Sequence, residues 1–297
     1  MCVNCGCSDD NQAQISNPAT GEVKMINSHE DNHHHHMHTL ADGNVIIHSH
    51  SHYHPHSEQQ ETHPEAAEIH ANIHAKTISL EQDILAKNNL IGAQNRGWLK
   101  GRNILALNLM SSPGAGKTTL LTRTINDLKD KLPISVIEGD QETINDAKKI
   151  QETGCPVIQI NTGTGCHLDA AMIERGLQEL NPPLNSVVMI ENVGNLVCPA
   201  LFDLGEHLKV VILSVTEGED KPIKYPQMFR ASEVMILTKI DLLPYVQFDV
   251  QRCIEYARQV NPQIRIFQVC AITGAGLGNW YGWLVDKMAH MSPLLMT

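Results

Sequence analysis

From residue 104 onward, short and almost unbroken runs of Val, Ile and Leu alternate with stretches whose apolar residues recur every three or four positions. The runs cover residues 104–110, 133–139, 157–160, 187–192, 209–215, 234–239 and 264–269. Helical patterns lie between several of them, notably from Thr118 and over 168–180, 249–260 and 277–289. A strand that is apolar at every position is buried on both faces, and intervening helices let such strands run parallel. The pattern predicts an α/β fold, a mostly parallel sheet flanked by helices, with ligands at the carboxyl ends of the strands.

The chain before residue 104 reads differently. Leu80, Ile84, Leu85, Leu90, Ile91 and Trp98 suit one amphipathic helix, with Ser79 as its N-cap and Gln82 completing a capping box. Residues 8–75 hold neither period and few large apolar groups, so they bury too little surface to offset their ordering entropy. They are predicted to be largely disordered. The expected organisation is a flexible N-terminal region over 1–77 and a folded domain over 78–297 with a leading helix.

Charge sharpens that division. Residues 1–75 carry −9 of the formal net charge of −11, and 14 of the 17 histidines. An acidic chain with no basic stripe is a poor nucleic-acid binder. No apolar run reaches the roughly 18 residues of a membrane span, and the N-terminus lacks the basic start and apolar core of a signal peptide. A cytoplasmic location is expected. Cysteines there stay reduced, so clusters read as metal ligands before disulfides.

The first apolar run is followed by SSPGAGKTT. Gly114, Ala115, Gly116, Lys117, Thr118 and Thr119 fit the end of a Walker A loop whose usual first glycine is Ser111 here. Backbone N–H groups of such a loop cradle phosphate oxygens, the lysine reaches the β/γ-phosphates and the threonine hydroxyl ligates Mg²⁺. TKID closes the 234–239 run. Asp241 is placed to accept both N1–H and N2–H₂ of guanine, a donor pair that adenine lacks. The Lys239 stem lies over the base, and Thr238 stands where Asn is common. CAITGAG, one strand later, suits a loop touching the base by backbone around Ala271. GTP is favoured over ATP. Asp140 and Glu191 end strands near the phosphates and join Lys117 and Thr118 as candidate catalytic and Mg²⁺-binding groups. In ENVG, Gly194 is a candidate γ-phosphate sensor. No arginine finger is evident, which predicts slow GTP hydrolysis suited to switching.

Two further patterns concern metals. MCVNCGC puts Cys2, Cys5 and Cys7 on a tether, three soft ligands for one ion. If Met1 is removed, the α-amino group of Cys2 favours square-planar N/S nickel over tetrahedral zinc. The tract that includes His33, His34, His35, His36 and several His-x-His repeats suits modest, unselective binding of several ions. Cys166 and His167 are adjacent and need a ligand from elsewhere, Cys198 being one candidate. The opposing reading makes Cys166 and Cys198 small buried apolar groups. Cys155, Cys253 and Cys270 fall in strand or helix patterns and are expected in the core, and His207 and His290 are given no role.

Together MCVNCGC, the histidine tract, SSPGAGKTT, EGDQETINDA, NTGTGCHLDA, ENVGNLVCPA and TKIDLLPY resemble the HypB family, GTPases that help insert nickel into [NiFe]-hydrogenase. The resemblance spans essentially the whole chain. It implies the P-loop class that includes signal-recognition GTPases and MinD-like ATPases, and a G domain over 78–297. It also implies a GTP-promoted homodimer, a HypA-type nickel carrier and the hydrogenase large-subunit precursor as partners, and Ni²⁺ or Zn²⁺ on Cys166, His167 and Cys198. Because Cys198 follows ENVG by four residues, a switch movement would shift it and tie metal occupancy to nucleotide state. Competing readings are a nickel or zinc store with an incidental NTPase domain, an ATP-dependent partitioning or transport ATPase, and a urease-accessory-like GTPase. The Cys166-His167 pair and the CVNCGC start argue against the last.

Overall fold

The computed structural model describes residues 13–25, 64–141 and 145–291, with the side chains of the first helix described from residue 82. Contacts divide the chain into one unit of residues up to 26 and from 81 onward, and another of residues 27–80. In the second unit the described part is helical backbone from Pro64.

In chain order the elements are β1 (Gln14–Ser16), β2 (Val23–Met25), α1 (Pro64–Gly101), β3 (Leu105–Ser111), α2 (Lys117–Leu128), β4 (Ile134–Asp140), α3 (Asn145–Gln151), β5 (Val157–Asn161), α4 (Ala170–Leu180), β6 (Val187–Glu191), α5 (Cys198–Leu201), β7 (Leu208–Ser214), α6 (Lys221–Lys224), α7 (Pro226–Ala231), β8 (Val234–Thr238), a 3₁₀ helix (Ile240–Tyr245), α8 (Val250–Val260), β9 (Arg265–Gln268) and α9 (Leu277–His290). The sheet order is β2-β1-β5-β4-β6-β3-β7-β8-β9. Strands β3 to β9 pair in parallel, and β1 pairs antiparallel with both β5 and β2. All seven strands read from the sequence are present, each within two residues of its expected ends.

The unbroken apolar runs follow from burial on both faces. Leu105, Leu107 and Leu109 enter a core with Leu121, Ile125 and Trp280 from α2 and α9. Ala106 points the other way, into a core with Leu99 of α1 and Ile173 of α4. Toward the β9 edge, Val211, Leu213, Met235 and Leu237 meet Phe229 of α7 and Cys253 of α8. Burying each such aliphatic side chain contributes about 1.5–3 kcal/mol. At the centre of β3 the polar Asn108 is fully buried and held by two polar side chains, Glu206 at 3.1 Å and Asn192 at 3.1 Å.

Two expectations need correction. Residues 13–25, within the stretch expected to be largely disordered, form a β-hairpin on the sheet edge. Asn17 and Gly21 close its turn, with Gly21 at φ 72°, and Ile15 is buried in the β5 core. One buried isoleucine anchors a segment whose average composition is polar. The capping box at Ser79 also fails, because the helix runs unbroken from Pro64 and residue 79 is interior. Proline at a helix start costs no hydrogen bond, and PEAAEIHANIHAK is rich in good helix formers.

Candidate nucleotide and metal site

β3 delivers the chain to the phosphate loop at the point where its neighbours are β6 on one side and β7 on the other, the switch position of an open α/β sheet. Gly114 (φ 76°) and Gly116 (φ 94°) adopt left-handed conformations that residues with a Cβ avoid. Gly116 caps α2 with no side-chain partner, so the N–H groups at the helix start point into the loop for an anion. The last residue of β8 and the one after it brace this loop. Thr238 donates its hydroxyl to the Ala115 carbonyl at 2.7 Å, and Lys239 donates to the Gly114 carbonyl at 2.7 Å. Ser112 bonds Glu217. Ser111, where Walker A loops begin with glycine, accepts from Lys117 Nζ at 3.0 Å, so the departure parks the lysine across the mouth of the loop.

The loop opens on a cavity of about 470 Å³. Gly114 to Thr119, Asp140, Glu191, Gly194 and Lys239 all line it, together with Glu138, Gly139, Asn192 and, from α3, Asp146 and Lys149. Thr238, Asp241 and Ala271 stand outside its lining. Thr238 is buried behind the loop, Asp241 is exposed at the start of the 3₁₀ helix, and the Ala271 carbonyl accepts from Arg123 at 3.1 Å.

Two buried acids floor the cavity side by side. Glu138 and Glu191 are register partners across β4 and β6. Glu191 accepts from the Thr118 hydroxyl at 2.7 Å, yet its Oε2 and the Oε2 of Glu138 are buried with no partner. Burial, then the neighbouring Glu191 and Asp140, push the Glu138 carboxyl up to about 9. Glu191 is raised too, chiefly by burial, against the pull of Lys117 and Thr118. Orphaned carboxyl oxygens beside a threonine hydroxyl and a phosphate loop fit a hard divalent cation, whose charge would favour their ionised form. Thr118, Glu191 and Asp140 would hold Mg²⁺ here, where it would neutralise phosphate charge. The sequence reading missed Glu138; the available signal was an acid inside the otherwise apolar run VIEG.

The shifted acid has a measurable consequence. The carboxyl of Glu138 ionises near its ordinary 4.5 in the unfolded chain but keeps its proton to about 9 when folded. The folded state therefore binds more protons over that window, and stability falls as pH rises from about 5 to about 9. Glu138→Gln, neutral at every pH, is expected to flatten that fall in nucleotide-free and metal-free protein. Urea midpoints measured across the window check this; a variant whose profile parallels the parent's would mean Glu138 ionises alike in both states.

A second cluster lies on the loops that follow β5 and β6. Cys166 and His167 precede α4, whose N-cap Asp169 accepts from Met172 N, and Cys198 opens α5. The ligand atoms of Cys166, His167 and Cys198 all lie within 4.8 Å of one another. Cys166 Sγ is 3.6 Å from His167 Nδ1, and the His167 ring packs on Phe202 with centroids 3.9 Å apart. Burial lowers the His167 pKa and so favours the neutral, ligating imidazole. Two soft thiols and an imidazole suit Ni²⁺ or Zn²⁺. Cys155, Cys253 and Cys270 are buried as expected, the first two with thiols pushed up to about 12 by burial. His207, given no role, accepts from the Ala106 N–H at 3.2 Å. Cys2, Cys5, Cys7 and His33 to His36 lie outside the described residues. Among the described residues no helix is long and apolar enough to cross a membrane.

Residues 105–268 match the family described as CobW/HypB/UreG, nucleotide-binding domain. The chain is 56% identical over 209 residues to hydrogenase maturation factor HypB of Escherichia coli (strain K12), covering 70% of this chain and 72% of that protein. It is 42% identical to the protein of that description from Cupriavidus necator, over 96% of this chain and 88% of the relative. Among solved structures it is similar to HypB from Archaeoglobus fulgidus (36% identity, TM-score 0.65, 69% of this chain and 100% of that one). It is equally similar to HypB from Helicobacter pylori in complex with nickel (36% identity, TM-score 0.64, 69% and 96%).

Proposed function

The chain belongs to the HypB hydrogenase maturation factors, within the CobW/HypB/UreG nucleotide-binding family, and from that premise we propose that it is a slow GTPase that binds nickel and assists its insertion into the [NiFe]-hydrogenase large-subunit precursor. The observation that carries the reading is the convergence of Cys166, His167 and Cys198, with Cys198 on the segment that leaves β6 through residues 191–194 of the phosphate-cavity wall. A solved relative's complex with nickel supports nickel as the cargo. Lys117, Thr118, Asp140 and Glu191 serve phosphate, and Lys239 and Asp241 the guanine base. The Ala271 carbonyl is engaged by Arg123, so any base contact there falls to its N–H. Cys2, Cys5 and Cys7 form a separate nickel site, backed by the histidine tract as a store. A HypA-type carrier, a GTP-promoted second copy of this chain and a cytoplasmic location complete the proposal. Zinc competes at the thiolate sites.

The guanine assignment is tested on the full chain. Losing hydrogen bonds to a charged acceptor costs roughly 1.5–3 kcal/mol, so Asp241→Asn is expected to weaken GTP binding by about 10- to 150-fold. Xanthine nucleotides, which present an acceptor where guanine presents its amine, should gain in the same variant. ATP competing with GTP at equal concentration in the parent protein would overturn the guanine reading and favour an ATP-dependent one.

A further inference from the structure

The side chain of Asn192 stands between the phosphate cavity and the Cys166–His167–Cys198 cluster. It is 1% exposed and belongs, with Val193 and Gly194, to the cavity wall. Its Oδ1 accepts from Val193 N at 3.0 Å, inside that wall, and from Leu168 N at 3.1 Å, the residue after His167. One carbonyl oxygen thus holds a cavity loop and a cluster loop together. Its amide donates to Asn108 at 3.1 Å, and Asn108 donates to Glu206 at 3.1 Å. Glu206 accepts from Leu204 N at 2.7 Å, two residues after the Phe202 ring that packs on His167.

Leu168 is gripped from the other wall as well. A Cβ placed on Gly139, which lines the cavity beside Asp140, would meet Leu168 side-chain carbons at 2.7 Å. Gly194 in turn packs against the phosphate loop, where an added Cβ would lie 3.0 Å from Pro113 Cγ. Any rearrangement of residues 193–194 around a γ-phosphate must therefore either carry Asn192 with it or break a buried hydrogen bond. A buried donor left without its acceptor is costly, so the Leu168 backbone follows, and His167 with it.

We propose that Asn192 is the positioning residue through which the state of the phosphate cavity alters the geometry of the Cys166–His167–Cys198 cluster. This rests on the reading of that cluster as a nickel site. The ligand set itself is unchanged by the relay; what changes is the position of one ligand loop relative to the other.

The test is a Ni²⁺ titration of the full chain carrying Cys2, Cys5 and Cys7→Ala, with GDP and with a non-hydrolysable GTP analogue. Coupling between sites usually amounts to 5- to 150-fold. The nickel Kd is expected to differ at least about fivefold between the two nucleotides in the parent. In Asn192→Ala the ratio should collapse to within about twofold of unity while nucleotide-free nickel affinity changes little. Retention of the parent's ratio in the variant overturns the inference, and so does loss of nickel binding already in its nucleotide-free state, which marks Asn192 as mere support. A second readout needs no variant: amide exchange at Leu168 in metal-free parent protein should differ between the two nucleotides, and identical protection overturns the inference. If the parent binds no nickel at the cluster, the nickel reading itself fails; if it binds nickel with one affinity in both nucleotides, only the coupling through Asn192 fails.

Discussion

Lys117→Ala is expected to lower GTP hydrolysis by roughly 10²–10³-fold, the cost of removing one preorganised donor from a developing anionic charge. Lys117 leaves the first turn of α2, hydrogen-bonds Ser111 across the loop and faces the buried Glu191. No other lysine stands in the loop itself; Lys239 spends its ammonium on the Gly114 carbonyl, and Lys149 approaches from α3. Phosphate release at saturating GTP checks the prediction. The same variant separates two functions. If the chain were a metal store with an incidental nucleotide domain, Lys117→Ala would leave hydrogenase maturation intact; a GTP-driven chaperone loses it. Turnover equal to the parent's would remove the loop from the chemistry altogether.

The second large effect concerns nickel. In a chain already carrying Cys2, Cys5 and Cys7→Ala, the further change Cys198→Ala is expected to weaken nickel binding by on the order of 10²-fold or more, since loss of supporting groups around a metal already costs 10–100-fold. Cys198 is 3% exposed and is the ligand that the sequence places farthest from the other two. Cys155→Ala is the matched control, another buried thiol removed with no change in nickel affinity. Equal affinity in the Cys198 variant and its parent would return Cys198 to the role of a small apolar residue.

The parts of the fold legible in the sequence are those where physics acts on every residue of a run. Strands β3 to β8 sit between helical layers, so nearly every position is apolar, and their order along the chain dictates parallel pairing. The phosphate loop was equally legible, because few residues other than glycine adopt the backbone at 114 and 116. Where a single contact decides, the pattern is silent. Ile15 is the one buried side chain of the hairpin, and the short helices α3, α5, α6 and α7 span four to seven residues, too few for a period to repeat. Glu138 became interesting only when β6 laid Glu191 beside it. Cys166 and His167 announced a ligand pair, but their third partner depends on which loops the sheet order brings together. Asn192 gave no sign in the sequence, since its importance lies in two backbone N–H groups it accepts from, 1 and 24 residues away.

The hairpin also guards one margin of the sheet. β1 runs antiparallel to β5, with Gln14 opposite Asn161, so its leading end is fixed at the same end of β5 that releases the loop bearing Cys166 and His167. The edge of β5 is thereby covered, and the strand left at that margin is β2, three exposed residues with Lys24 at the centre. A short edge carrying a charge offers another chain little to pair with, so the hairpin protects the sheet from edge-to-edge association.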